Sequence, residues 1–80
     1  MKSNDERFRD IVASILGLSP GEVTSELTAD GVDTWDSLNH ISLIGALEQE
    51  FGIRLPAENL IESQSIAQLR ALLSQHGVAF

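Results

Sequence analysis

"DTWDSLNHISLIGALEQEFGI", residues 33–53, contains the change from a polar loop to an amphipathic stretch, and the way it changes decides the fold. Placed at 100° per residue, Leu43, Ile44, Leu47 and Phe51 fall within about 100° of arc, the width of one core-facing helical stripe. Leu38, Ile41 and Gly45 lie on another side, with Glu48 next to Ile41. Two readings of that second group stay open: a partly exposed apolar patch bordered by acid, or a helix central to a bundle and buried on both sides. A helix is expected over Ser37–Phe51, stopped by Gly52.

The start of that helix raises a chemical question. Elsewhere the chain shows Ser3 with Glu6, Ser19 with Glu22 and Ser65 with Gln68, the spacing of a capping box in which a serine hydroxyl bonds the backbone. Here Asp36 precedes Ser37, and Asp is as good an N-cap as Ser. If Asp36 caps, Ser37 occupies the first helical position with its hydroxyl spare, at the positive end of the helix dipole, a place that favours a phosphate. If Ser37 caps, the hydroxyl is consumed. The tripeptide Asp-Ser-Leu taken alone leaves both open.

Outward from this helix the chain reads as one helical unit without repeats or linkers. A first helix is expected over Asn4–Leu16, where Phe8, Ile11, Val12, Ile15 and Leu16 form one buried stripe and Gly17 ends it. A long connection follows from Leu18 to about Thr34. It opens with a single helical turn at "SPGE" and continues through turn-like "TADGVDTWD". Loops of this length are often functional. Leu18, Val23, Leu27, Val32 and Trp35 are expected to pin it to the helices. Pro56 opens "PAENLIE", a short helical segment. The last helix is expected over Ile66–His76, with Ile66, Leu69, Leu72 and Leu73 as its stripe, and "VAF" as a tail folded back through Val78 and Phe80. No segment alternates like a strand. The expected fold is all-α: a small four-helix bundle of three main helices plus one short helix, with a long loop between helices 1 and 2.

Eighty residues allow one domain with a thin core. There is no cysteine, so neither disulfides nor thiolate chemistry can support it, and tidy helix packing must. His40 and His76 fall in no metal-binding pattern. A net charge of −7 argues against nucleic acid as a partner and against anionic membrane surfaces, and suits docking onto basic proteins. "MKSNDERFRD" has no apolar signal-peptide core and no apolar run approaches the ~20 residues of a membrane span, so a cytoplasmic location is expected.

The run from Asp36 to Pro56 resembles the carrier-protein family, acyl carrier proteins and their relatives, in which Asp-Ser-Leu bears a phosphopantetheine arm. The likeness is in register at Asp36, Ser37 and Leu38, then Ile41, Leu43, Ala46-Leu47-Glu48, Glu50-Phe51, Ile53 and Pro56, and the order of elements is similar across the whole chain. The resemblance implies a free-standing carrier, monomeric, with 4′-phosphopantetheine attached covalently at Ser37 by a phosphopantetheinyl transferase using coenzyme A. It implies further partners: an acyl- or aminoacyl-loading ligase and a downstream synthase or transferase. Asp36, Leu38, Ile41 and Glu48 are the expected docking residues. Partner enzymes would perform every reaction, so the chain itself is expected not to be an enzyme.

Departures narrow the kind of carrier. Fatty-acid-synthesis carriers usually place an acid directly after Asp-Ser-Leu and another three residues later, where this chain has Asn39 and Ser42. Gln49 interrupts the later acidic cluster, and Trp35 replaces the small residue usual before Asp-Ser-Leu. Typical peptidyl carriers have Gly-Gly-His-Ser instead. The expectation is a carrier in a dedicated pathway, loaded with a specialised acyl or an aminoacyl group. The alternative is an unmodified helical adaptor or structural module in which Ser37 only starts a helix.

Other candidates are weaker. Asp30, Asp33 and Asp36 suggest a calcium loop, but counting from Asp30 puts Val32 third and Ile41 twelfth, and counting from Asp33 puts Trp35 third and Ile44 twelfth, so no metal site is expected. His40 shares an arc with Leu47 and is expected at the core edge with a hydrogen bond. Trp35 is expected to anchor the loop, and Arg54 and Arg70 to be solvated or paired surface charges.

Overall fold

A computed structural model describes residues 2–56 and 63–80. Three α-helices are present among them: α1 (Asn4–Leu16), α2 (Ser37–Phe51) and α3 (Ile66–Gln75). The first two ranges match expectation, and α3 ends one residue early, with His76 as its C-cap. The short helix expected at "PAENLIE" falls on positions 57–62, outside the described residues. No sheet forms among those described, only one isolated antiparallel bridge between Thr28 and Ser65.

Each helix begins and ends on local chemistry. Ser3 and Glu6 form the expected reciprocal capping box on α1. Gly17 and Gly52 close α1 and α2 in the left-handed region, at φ 70° and 63°, where a side chain would be strained. Ser65 Oγ accepts from Gln68 N at 3.1 Å as expected, but the returning Gln68 side chain accepts from Gln64 N at 2.8 Å rather than from Ser65. The bridge explains the shift, because it holds the backbone around Ser65 against the long loop.

Phe8, Val12, Ala13 and Leu16 of α1 pack with Leu43, Ile44 and Leu47 of α2 and Ile66, Leu69, Leu72 and Leu73 of α3. Ile11 and Ile15 flank this core, half-buried. The tail folds back as expected. Val78 is buried, and the Phe80 ring meets Phe8 edge-on at 5.6 Å and Phe51 at 6.4 Å. Arg70, ion-paired with Asp5, lies 4.6 Å over the Phe80 ring, so its surface charge does structural service.

Arg7 of α1 bonds the carboxylate and the backbone carbonyl of Glu50 near the end of α2, which sets the two helices antiparallel. The end of α1 therefore lies beside the start of α2. The long loop is held to both neighbours. Val23 and Trp35 are buried, and Leu18, Leu27 and Val32 are half-buried against the core. Two short 3-10 turns, Pro20–Glu22 and Ala29–Gly31, satisfy its backbone locally. Ala29 N donates to Gln64 O at 2.8 Å, and Ile66 N, an orphan donor at the start of α3, donates to Leu27 O at 3.0 Å.

Candidate functional site

The first turn of α2 answers the capping question. Asp36 has extended backbone, and its Oδ1 accepts from Asn39 N at 2.8 Å. Asp36 is the cap, and Ser37 stands at the first helical position, exposed, with no hydrogen bond to its hydroxyl from any described residue. The N–H groups of Ser37 and Leu38 belong to the unpaired donors that open every helix. A nucleophilic oxygen thus sits free beside unpaired donors at the positive end of a fifteen-residue helix. That donor set and exposure fit a phosphodiester on Ser37 Oγ.

The segment leading to Ser37 is fixed from several sides. Thr34 Oγ1 donates to Leu16 O at 2.6 Å, satisfying a terminal carbonyl of α1. Asn39 Nδ2 donates to Thr34 O at 2.6 Å. Trp35 is 6% exposed and its Nε1 donates to His40 Nδ1 at 2.9 Å, the two rings lying 28° from parallel. Indole N–H is only a donor, so Nδ1 is the bare nitrogen of the imidazole. The expected loop anchor and the expected core-edge histidine are therefore one unit, closing a loop around Ser37 between residues five positions apart. Substituting Trp35→Phe removes the donor and leaves Nδ1 without it. The expected cost is about 1–3 kcal/mol, seen in denaturant unfolding, with a changed His40 ¹⁵N resonance in the folded protein.

Asn39, one of the departures from the commoner pattern, acquires a role in this network. Asn39 is at the third helical position, where a capping-box side chain reaches back, and it bonds Thr34 instead of the cap. Thr34 escaped the sequence reading. The available signal was a Thr two residues before the cap, but its partner Leu16 is eighteen positions away.

The proposed docking residues separate into two kinds. Leu38 and Ile41 are 76% and 61% exposed, the largest such values among the described large hydrophobic side chains. Leu43, Ile44 and Leu47 are 0–2% exposed. The second apolar group of α2 is thus a surface patch, and the centrally buried reading is excluded. Asp36 and Glu48 have structural duties besides their charge, Asp36 as the cap and Glu48 accepting from Leu55 N at 2.9 Å. Gly45 is exposed on the patch side, and a Cβ there would meet nothing within 4 Å. Among the described residues no group of three His, Cys, Asp or Glu side chains could hold a metal ion, and no helix is long and apolar enough to cross a membrane.

A family model described as a phosphopantetheine attachment site matches residues 6–73, from the first turns of α1 into α3 and across Ser37. Among solved structures, the solution NMR structure of a holo acyl carrier protein from Geobacter metallireducens is similar at a TM-score of 0.78 and 25% identity, over 90% of this chain and 83% of that one.

Proposed function

The chain belongs to the phosphopantetheine-attachment family, acyl-carrier-like domains that hold an acyl or aminoacyl group for downstream enzymes, and from that premise we propose that Ser37 bears the arm. One observation carries the assignment: Asp36 rather than Ser37 caps α2, so the serine hydroxyl is exposed and unspent. Attachment forms one P–O bond from Ser37 Oγ to the pantetheine-side phosphate of coenzyme A. The pyrophosphate P–O bond breaks, adenosine 3′,5′-bisphosphate leaves, and the hydroxyl proton goes to a base of the transferase. The attached 4′-phosphopantetheine supplies a terminal thiol for thioesters, which this cysteine-free chain lacks. The unpaired N–H groups of Ser37 and Leu38 hold the new negative charge at the helix start. The test is intact mass after incubation with coenzyme A and a broad-specificity transferase. A gain of one phosphopantetheine, mapped to the peptide containing Ser37, is expected. No gain, or a gain mapped elsewhere, overturns the assignment.

The partners are a phosphopantetheinyl transferase, a loading ligase and a downstream synthase or transferase of a dedicated pathway, docking on the patch of Leu38 and Ile41 with Asp36 and Glu48 at its border. Exposure of two large aliphatic side chains one helical turn apart supports this surface. Gly45 supports it further. A mid-helix glycine costs roughly 0.5–1 kcal/mol relative to alanine, and no described residue requires its small size. Leu38→Ser and Ile41→Ser are expected to change stability by no more than about 0.5 kcal/mol, while lowering the kcat/KM of modification or loading about tenfold, the effect of losing a docking anchor. Gly45→Ala is expected to stabilise α2 and still slow transfer. Unchanged kinetics in all three, measured alongside circular dichroism, places docking elsewhere.

A further inference from the structure

Between the end of α1 and the long loop lies an open groove of about 500 Å³, within the size range of small-molecule sites. Leu16, Leu18, Leu27 and Val32 supply its apolar lining, and Glu22 and Asp33 the only charges among its described residues. Glu22 accepts from the Ser19 N–H and hydroxyl, which hold its carboxyl below the usual range, so it stays ionised. Asp33 is exposed and no described residue pairs with it. Thr34 also lines the groove and accepts the Asn39 side chain of the attachment turn. At 3.8 Å per residue, its Cα cannot lie more than ~11 Å from that of Ser37. An arm built of phosphate, pantoyl, β-alanyl and cysteamine units is longer than that.

A small aliphatic lining that includes two carboxylates and no cation among its described residues selects by charge as well as by shape. Resting on attachment at Ser37, we infer that this groove receives the cargo itself, and that the cargo is an aminoacyl group, its ammonium toward Glu22 and Asp33 and its aliphatic side chain on the leucine and valine surface. Acyl groups with a free carboxylate are repelled by the same two residues.

The test compares two cargoes that differ only by the amine. The apo protein is loaded by a transferase from coenzyme A analogues carrying leucyl or 4-methylpentanoyl through a stable amide in place of the thioester, and a third sample carries the bare arm. Loading is verified by intact mass, then amide resonances are compared. The leucyl form is expected to shift Leu18, Gly31, Val32 and Thr34, and the other two forms to leave them near their apo positions. Asp33→Asn is expected to lower groove occupancy about two- to threefold, the size of one exposed ion pair. Asp30→Asn, an equal charge change on the same loop but outside the groove, is expected to leave it unaltered. Equal shifts from the 4-methylpentanoyl form or the bare arm overturn the inference, as do absent shifts in a correctly loaded leucyl sample or equal effects of the two Asp variants. Failure to load at all is distinct, and overturns the assignment of Ser37.

Discussion

Ser37→Ala is expected to gain no phosphopantetheine under conditions that convert the wild type completely, and to keep its helical circular dichroism and unfolding midpoint. Both halves follow from the division of labour in the first turn. The covalent half is total because only the hydroxyl oxygen can form the new P–O bond. The structural half is mild because Asp36 makes the capping bond to Asn39 N, and alanine is the best helix former. The reciprocal variant separates the two roles. Asp36→Ala retains the nucleophile but loses a cap worth about 0.5–2 kcal/mol, so it unfolds earlier and remains modifiable. Were Ser37 the cap, the stability losses would be exchanged between the two variants, and denaturant midpoints of the pair decide the matter.

Phe8→Ala is expected to bring the protein to the edge of unfolding at room temperature. At roughly 0.05–0.15 kcal/mol per residue, a domain of this size has about 4–12 kcal/mol in total. Truncating a fully buried phenylalanine costs about 3–5 kcal/mol, and Phe8 is 0% exposed. It also carries the edge contact to Phe80 that holds the returning tail, and Arg70 lies 5.6 Å over its ring. There is no disulfide to limit the damage. Urea unfolding followed by circular dichroism checks this. Loss of less than about 1 kcal/mol would mean that the three helices are not held by the core described above.

Much of the fold was legible because its signals are local. A cap and its N3 partner are three residues apart, and a helical stripe repeats every three or four, so Ser3–Glu6 and the Phe8, Val12, Leu16 row could be found by spacing alone, whereas Asp36 and Ser37 competed for one cap until the structure paired Asp36 with Asn39 N. Where locality failed, so did the detail. Gln68 was expected to reach Ser65 and reaches Gln64, because a bridge to Thr28, thirty-seven positions from Ser65, sets that backbone. Trp35 and His40 were read separately, one as an anchor and one as a core-edge histidine, although they form one hydrogen-bonded pair.

The candidate site divides along the same line. The order Asp36-Ser37-Leu38 and the run after it were enough to single out Ser37 as the candidate and to place the helix that presents it. Exposure was beyond sequence reach. Periodicity places Leu38 and Ile41 on a side of α2, but only the packing of α1 and α3 against the opposite side leaves them 76% and 61% open. The bond from Thr34 to Leu16 and the groove between α1 and the loop likewise join residues distant in the chain. Local helical periodicity made the helix that carries Ser37 readable from the sequence. Which surfaces stay uncovered depends on how the whole bundle closes, and that the tertiary structure alone decided.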